Sequence, residues 1–244
     1  MHLAEATWTD ADALDTDLAV LPVGSTEQHG PHAPLGTDTL TAEAVATAGV
    51  ERCDREVAVA PAVPVGVAEE HRQFTGTLWV REDSFRAYVR DVVASLAGHG
   101  FGRVVLVNGH GGNVAALREV AGTITRRDDA YAVPFTWFEA VESGPGMGHG
   151  GPLETALLLA TDPEAVATDR IDEAREGASD GWGEWCRGVN LAYDSAEFTD
   201  NGVVGDPDEA STDLGETLLA EAADALAELV ETVAERDASR PPHR

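Results

Sequence analysis

No lysine occurs anywhere in this 244-residue chain; all 16 of its basic residues are arginine. That absence removes whole classes of chemistry. Without lysine there is no Schiff base, so pyridoxal phosphate enzymes and lysine-dependent aldolases are excluded. A Walker A phosphate loop needs the same residue and is excluded with them. Cysteine is almost as scarce. Cys53 and Cys186 lie far apart and form no CxxC pair, so neither a zinc ribbon nor a thioredoxin-like motif is indicated. We expect two buried free thiols in a reducing compartment. No apolar run approaches the length of a membrane span. The opening MHLAEATWTDADALD has neither the basic region nor the apolar stretch of a signal peptide. The expectation is a cytoplasmic protein with no membrane partner.

Positive charge is the next shortage. Against 44 acidic residues the net charge is −28, so the phosphates of a nucleic acid would be repelled and no nucleic-acid partner is expected. The acids are spread along the whole chain, as in Thr9-Asp10-Ala11-Asp12 and Asp206-Pro207-Asp208-Glu209. Because net charge reports on solubility and association, this spread reads as adaptation to a salt-rich cytoplasm, in the manner of halophilic proteins. A specific acidic interaction surface is the other reading.

A hydrophobic fraction of 43% is enough for a sizeable core, and its pattern alternates strand and helix. Leu18 to Val23 is a short apolar run, followed by an Ala-rich helical pattern from Thr39 to Arg52. Val57 to Val59 reads as a second strand and Thr77 to Val80 as another short one. Asp83 to Leu96 is amphipathic, with Phe85, Val89, Val92, Val93 and Leu96 on one side, and Gly98 and Gly100 end it. Arg103 to Val107 is the clearest strand, with a helix over 114 to 126. A strand spans Ala130 to Phe135. A proline-opened helix spans Pro152 to Ala160, and a long helix spans Leu214 to Glu235. This alternation predicts an α/β fold of three layers, a mostly parallel sheet with helices on both faces, in a single domain spanning 1–244. Residues 172–208 are Gly-rich and aromatic with little periodicity, fitting a flap or an oligomer contact. Residues 239–244 are expected to fray.

What stands out against this frame is a set of polar residues just past the strands. Ligands of open α/β sheets gather beyond the carboxyl ends of strands. Glu27 and His29 follow the first strand, two residues apart, so an extended segment places both on one face. His110 follows RVVLV among the glycines of NGHGGN. His149 and Glu154 follow the Ala130 to Phe135 strand. Asp38 lies at the start of the next helix. Imidazole and carboxylate together suit Zn, Mn or Fe(II) rather than Cu(I). Read singly, each has a plainer role. Asp38 could cap its helix, Glu154 could be a first-turn acid, and His29 or His110 could be structural. Asn108 and Asn113 read as turn holders, His32 as a turn or supporting residue, and His99 as a helix C-terminal cation. Co-occurrence decides for a metal site, since His29, His32, His71, His110 and His149 all fall in Gly/Pro-rich segments near strand ends. In AEEHRQFTGT, Glu70 and His71 could face a substrate or simply be solvated. Trp137, Trp182 and Trp185 fit an aromatic wall or lid, or ordinary packing.

These residues, in GSTEQHGPHAPLGTDT, EEHRQFTGT, VNGHGGN and the 149–155 segment, resemble the creatininase family of metal-dependent amidohydrolases. The resemblance runs over roughly residues 15 to 235. It implies Glu27, His29, Asp38 and His110 as ligands of two divalent ions, with Asp38 bridging and Glu154 completing the site. It also implies His149 as a proton-transfer group, with Glu70 and His71 as further catalytic candidates. The implied activity is hydrolysis of a C–N bond in a small-molecule amide or formamide, and the implied assembly is a homo-oligomer, often a hexamer. Two positions depart from the pattern. Enzymes of the family acting on creatinine carry a glutamate where this chain has Gly112. The motif His-Ala-Gly-Glu-x-Glu-Thr has Pro152 in place of its first glutamate. The family it resembles includes an archaeal branch that deformylates a formylamino-pyrimidine ribonucleotide on the route to riboflavin and deazaflavin cofactors, and the salt-adapted composition makes this the narrower expectation. Such a substrate would need phosphate contacts from arginines such as Arg72 or Arg81, or from backbone N–H groups. A creatinine or other cyclic-amide hydrolase and a cofactor-precursor peptidase are the alternatives. A metal- or ligand-binding module without catalysis is the reading from outside enzymology.

Overall fold

A computed structural model describes residues 1–240. The chain runs through α1 (Trp8–Asp12), β1 (Leu18–Val23), α2 (Thr37–Val50), β2 (Ala58–Val59), α3 (Glu82–Gly98), β3 (Arg103–Asn108), α4 (Val114–Arg127) and β4 (Tyr131–Thr136). It continues through α5 (Pro152–Thr161), α6 (Ile171–Glu176), the hairpin strands β5 (Trp185–Cys186) and β6 (Val189–Asn190), and α7 (Thr212–Glu235). The main sheet has the order β2-β1-β3-β4 with every pairing parallel.

Period-2 alternation sorts the strands' side chains into two cores. Leu21 of β1 with Val104 and Leu106 of β3 pack against α3 and α4, through Phe85, Val89, Val93, Leu117 and Ile124. Val20 of β1 with Val105 and Val107 of β3 pack the other way, against α2, α5 and α7, through Val45, Leu157, Leu218 and Leu226. Both strand faces are apolar because both are covered, and this is why the strands read as continuous hydrophobic runs. The expected three-layer architecture is the observed one.

Strand order places the site. From β1 the chain crosses to β2 on one side, then returns over β1 to β3 and β4 on the other. β1 and β3 are thus neighbours whose connections leave in opposite directions, and the crevice between them opens at their carboxyl ends. The segments after β1 and β3 are GSTEQHG and GHGGN.

Several expectations are corrected. Thr77 to Val80 is not a strand; only an antiparallel bridge between Thr26 and Leu78 forms there, because the segment wraps past the loop after β1 rather than joining the sheet. The short helix α1 has no apolar periodicity and was not expected; it is held by a capping box between Thr7 and Asp10. Cys186 is exposed on the β5–β6 hairpin and Cys53 is half-buried, so the thiols are not both core residues. Trp137 is wholly buried between the sheet and its helices and forms no lid, and Trp185 is exposed on the hairpin. Residues 172–208 carry most of α6 and the hairpin, with Gly183, Gly188, Gly202 and Gly205 at positive φ. The frayed tail expected at 239–244 falls for the most part outside the described residues, and so does His243.

Candidate metal centre

Six of the expected side chains meet in one buried place. Glu27, His29, Asp38, His110, His149 and Glu154 are each at most 6% exposed, and together with His71 their ligand atoms fall into three overlapping groups of three. Glu27 Oε1 lies 3.2 Å from His110 Nδ1. The carboxylate of Asp38 is divided between two histidines: Oδ1 is 3.0 Å from His29 Nε2 and Oδ2 is 3.2 Å from His110 Nδ1. Glu154 Oε1 stands 3.6 Å from His29 Nε2. Asp38 is in the first turn of α2, whose N-cap is Gly36. It is therefore free of the capping role that its position allowed.

The backbone fixes which ring nitrogen faces inward. His29 Nδ1 donates to the carbonyl of Glu27 at 3.1 Å, leaving Nε2 for Asp38 and Glu154. His110 Nε2 donates to the carbonyl of Val67 at 2.6 Å, leaving Nδ1 for Glu27 and Asp38. His149 Nε2 donates to the carbonyl of Gln28 at 2.6 Å, leaving Nδ1 facing Glu27 at 3.7 Å. A carbonyl can only accept, so each inward nitrogen carries a lone pair, as metal-binding histidines are commonly arranged. His71 is oriented the other way. Its Nδ1 accepts from the Gln28 amide at 2.9 Å, so its proton sits on Nε2, 3.5 Å from Glu27 Oε1 and outside hydrogen-bond geometry. His71 thus has no lone pair directed at the cluster.

Glycine permits the convergence. A Cβ at Gly109 would collide with the carbonyl of Asp38, so only glycine lets the NGHGGN loop pass this close to α2. Gly150 adopts φ +56° against the backbone of His29, and its N–H donates to Glu154 Oε2 at 2.6 Å. Asn108 and Asn113 hold the loop: Asn108 donates to the carbonyl of His110 and Asn113 to that of Gly24, the turn-holding role expected of them. His32 pairs with the Thr155 hydroxyl at 2.9 Å, behind His29.

The electrostatics call for a cation. Both oxygens of Glu27 and Oδ2 of Asp38 are buried without a hydrogen-bond donor. A buried carboxylate left in this state costs several kcal/mol, on the order of the desolvation penalty of one ion. Without a cation the carboxylates draw protons onto the imidazoles. Burial works to lower His29 and His110, but Asp38 with Glu154, and Glu27 with Asp38, reverse this and hold both well above the ordinary histidine value. Burial likewise works to raise Asp38, and the two imidazoles hold it far below the carboxylate range. Divalent ions would satisfy the same oxygens and keep the imidazoles neutral. The donor set, nitrogen and carboxylate oxygen without thiolate, fits Zn, Mn or Fe(II).

Above the cluster opens a cleft of about 350 Å³ lined by Glu70, His71, His110, Gly112, Phe138, Met147, His149, Glu154 and Trp182, among others. Burial pushes Glu70 up from the usual carboxylate value. Burial and the neighbouring imidazoles push His149 and His71 down, leaving both neutral near pH 7. Of the three tryptophans expected near the site, only Trp182 walls the cleft, edge-on to His71 at 5.6 Å and to His149 at 6.1 Å between ring centres. Gln28 and Ser195, which also contacts His71 Nδ1, were not anticipated. Gln28 sits between two motif residues and its position was a signal. Ser195 lies in the aperiodic 172–208 segment, where nothing marked it.

A carboxyl-end crevice between parallel strands lined by this donor set suits a metal centre, and the family match makes it that of a metal-dependent amidohydrolase. The family model described as "Creatininase: Creatinine amidohydrolase" matches residues 4–230, and the chain belongs to that family. It is 35% identical over 218 residues to the mycofactocin precursor peptide peptidase of Mycolicibacterium smegmatis, covering 87% of this chain and 84% of that protein. It is 28% identical over 198 residues to the creatinine amidohydrolase of Pseudomonas putida, covering 70% and 75% of the two chains. A solved structure described as "Creatininase Mn" superposes with a TM-score of 0.77 at 26% identity, over 96% of this chain and 99% of the other.

Proposed function

We propose that this chain cleaves the C–N bond of an amide within a peptide-like substrate. Glu27, His29, Asp38, His110 and Glu154 would hold two divalent ions. One observation carries the reading: Asp38 presents its two oxygens to two differently placed imidazoles, each backed by a backbone carbonyl, beside the donorless carboxylate of Glu27. When bound, such ions lower the pKa of water toward ~7 and polarise a carbonyl.

The rest falls to the protein. His149, neutral and facing the cleft, takes a proton from the attacking water and delivers it to the departing nitrogen, which leaves poorly as an anion. His71 and Gln28 fix Glu27. Glu70 stands on the cleft wall without a salt-bridge partner and receives N–H groups of the substrate. Trp182 and Phe138 give it apolar walls that exclude water.

The peptide is placed ahead of the formamide nucleotide for two reasons. No arginine lines the cleft among the described residues, and Arg72 is engaged with Asp194 at 2.7 Å. The relatives at 35% identity carry a peptidase description. Creatinine comes next, weakened by Gly112.

The test assays protein reconstituted with Zn, Mn or Fe(II) against three substrates in parallel: a panel of short peptides, creatinine, and a formylamino-pyrimidine ribonucleotide. New amino termini appear on the peptide reading. Formate release alone would move the enzyme to the deformylase reading, and creatine alone to the cyclic-amide reading. No ion bound under any condition would defeat all three.

A further inference from the structure

The cleft above the candidate metal centre does not end at its own wall. A second groove of about 430 Å³ shares Met147, Gly148 and Trp182 with it and runs on past Pro152, Arg175, Ser179, Asp180, Asp206 and Glu209. Of the three shared residues Gly148 presents backbone alone, between the side chains of Met147 and Trp182. Gly148 lies in the short antiparallel bridge where His149 and Val204 exchange hydrogen bonds of 2.9 and 2.8 Å. A Cβ at Gly148 would strike the Val204 carbonyl, so this saddle carries no side chain. Beyond it, Gly146 and Gly181 face open space. Where glycines line a groove, as Gly146, Gly148 and Gly181 do here, another main chain can approach at close range.

Its charge is one-sided. Asp180, Asp206 and Glu209 line it, and the one cation among the described residues that line it, Arg175, is already paired with Asp172 at 2.8 Å and Asp208 at 3.2 Å. A groove with three carboxylates and a neutralised arginine attracts positive charge and repels acids.

We propose that this groove is a subsite for the extended main chain of a polypeptide substrate bearing basic residues on one side of the scissile amide. The cleft over the metal centre would take the amide itself. The inference rests on the hydrolytic reading above and deepens it. A 350 Å³ cleft suffices for a small amide; the adjoining groove has no use for one. Binding energy gathered at a distance from the reacting bond is a common means of favouring long substrates.

The experiment uses metal-loaded full-length protein and peptides of two to eight residues, with lysine, alanine or glutamate at the positions flanking the cut. Expected is a rise in kcat/KM of about tenfold or more with length, equivalent to about 1.4 kcal/mol, with lysine above glutamate. The double variant Asp180→Lys/Glu209→Lys alters two exposed side chains remote from the cluster. It should erase the advantage of the long peptides while leaving dipeptide cleavage, metal content and melting temperature unchanged. Equal loss on short and long substrates, or no dependence on length, would overturn the subsite while leaving the hydrolase standing. If no peptide is cut, the hydrolytic reading fails separately. The groove is then judged by fluorescence anisotropy of a labelled lysine-containing octapeptide. Binding lost in the double variant upholds it, and absence of binding to the unaltered protein overturns it.

Discussion

The same chemical groups, carboxylates facing cations or imidazoles, occur in two settings in this protein. On the helical surface Arg55 meets Glu231 at 2.6 Å and Arg118 meets Glu139 at 2.7 Å, all substantially exposed. At the carboxyl ends of β1 and β3, Glu27 and Asp38 are buried among histidines with oxygens that no donor reaches. Surface pairs have shorter contacts than the buried cluster, yet they matter less. Water solvates either partner when the pair opens, so little is lost. In the cluster nothing replaces a missing partner, so charge must be matched by a proton or a metal. Distance alone is therefore a poor guide to function; burial without satisfaction is the better one.

The largest effect should come from Asp38→Ala, which removes the oxygens facing both His29 and His110. Metal content should fall below one ion per chain and amide hydrolysis by about a thousandfold or more. Elemental analysis paired with rate measurement checks this, and full metal retention would count against Asp38 as a ligand. His149→Ala should separate chemistry from binding: the ions stay, while the rate drops by ~10²–10⁴ as for loss of a proton carrier. Loss of metal together with rate would make His149 a ligand instead.

The pH dependence should reverse between the two forms of the protein. Metal-free, His29 and His110 titrate above the ordinary histidine value because of their carboxylates. A raised folded-state pKa stabilises the fold fully below the unfolded value near 6.5, and that contribution disappears as pH rises through the folded value. Metal-loaded protein should behave oppositely, since protons compete with the ions for the same nitrogens. Melting temperatures across pH 5 to 9, with and without chelator, should therefore cross. Parallel curves would mean that the cluster does not bind metal.

The smallest effect belongs to the surface. Arg118→Ala should change stability by less than about 1 kcal/mol in chemical denaturation. A larger loss would erase the contrast drawn between the two regions. Because the net charge is −28, added salt should stabilise the protein through screening of its self-repulsion; an unchanged melting temperature from low to molar salt would count against salt adaptation.

Much of the fold could be read directly. The runs at 18–23 and 103–107 are continuous apolar stretches because both faces of the sheet are covered, and they became β1 and β3 within a residue. The long helix near 214–235 was equally plain. Errors fell where local pattern carries little information. Thr77 to Val80 has strand composition but meets a loop rather than the sheet edge. Trp137 has the chemistry of a cleft wall but is enclosed by α5 and α7 packing around it.

The sequence by itself determined the element types, the parallel sheet, the exclusion of lysine chemistry and the identity of the ligand-type residues. These follow from periodicity and composition, which act over a few residues. The tertiary structure decided how those residues divide their work. Strand order brings two loops into one crevice. Backbone carbonyls from Glu27, Gln28 and Val67 choose the inward nitrogen of His29, His149 and His110. The opposite orientation of His71 makes it a support. A histidine's tautomer depends on what lies behind its ring, and in the chain that partner is as close as two residues or as far as 121.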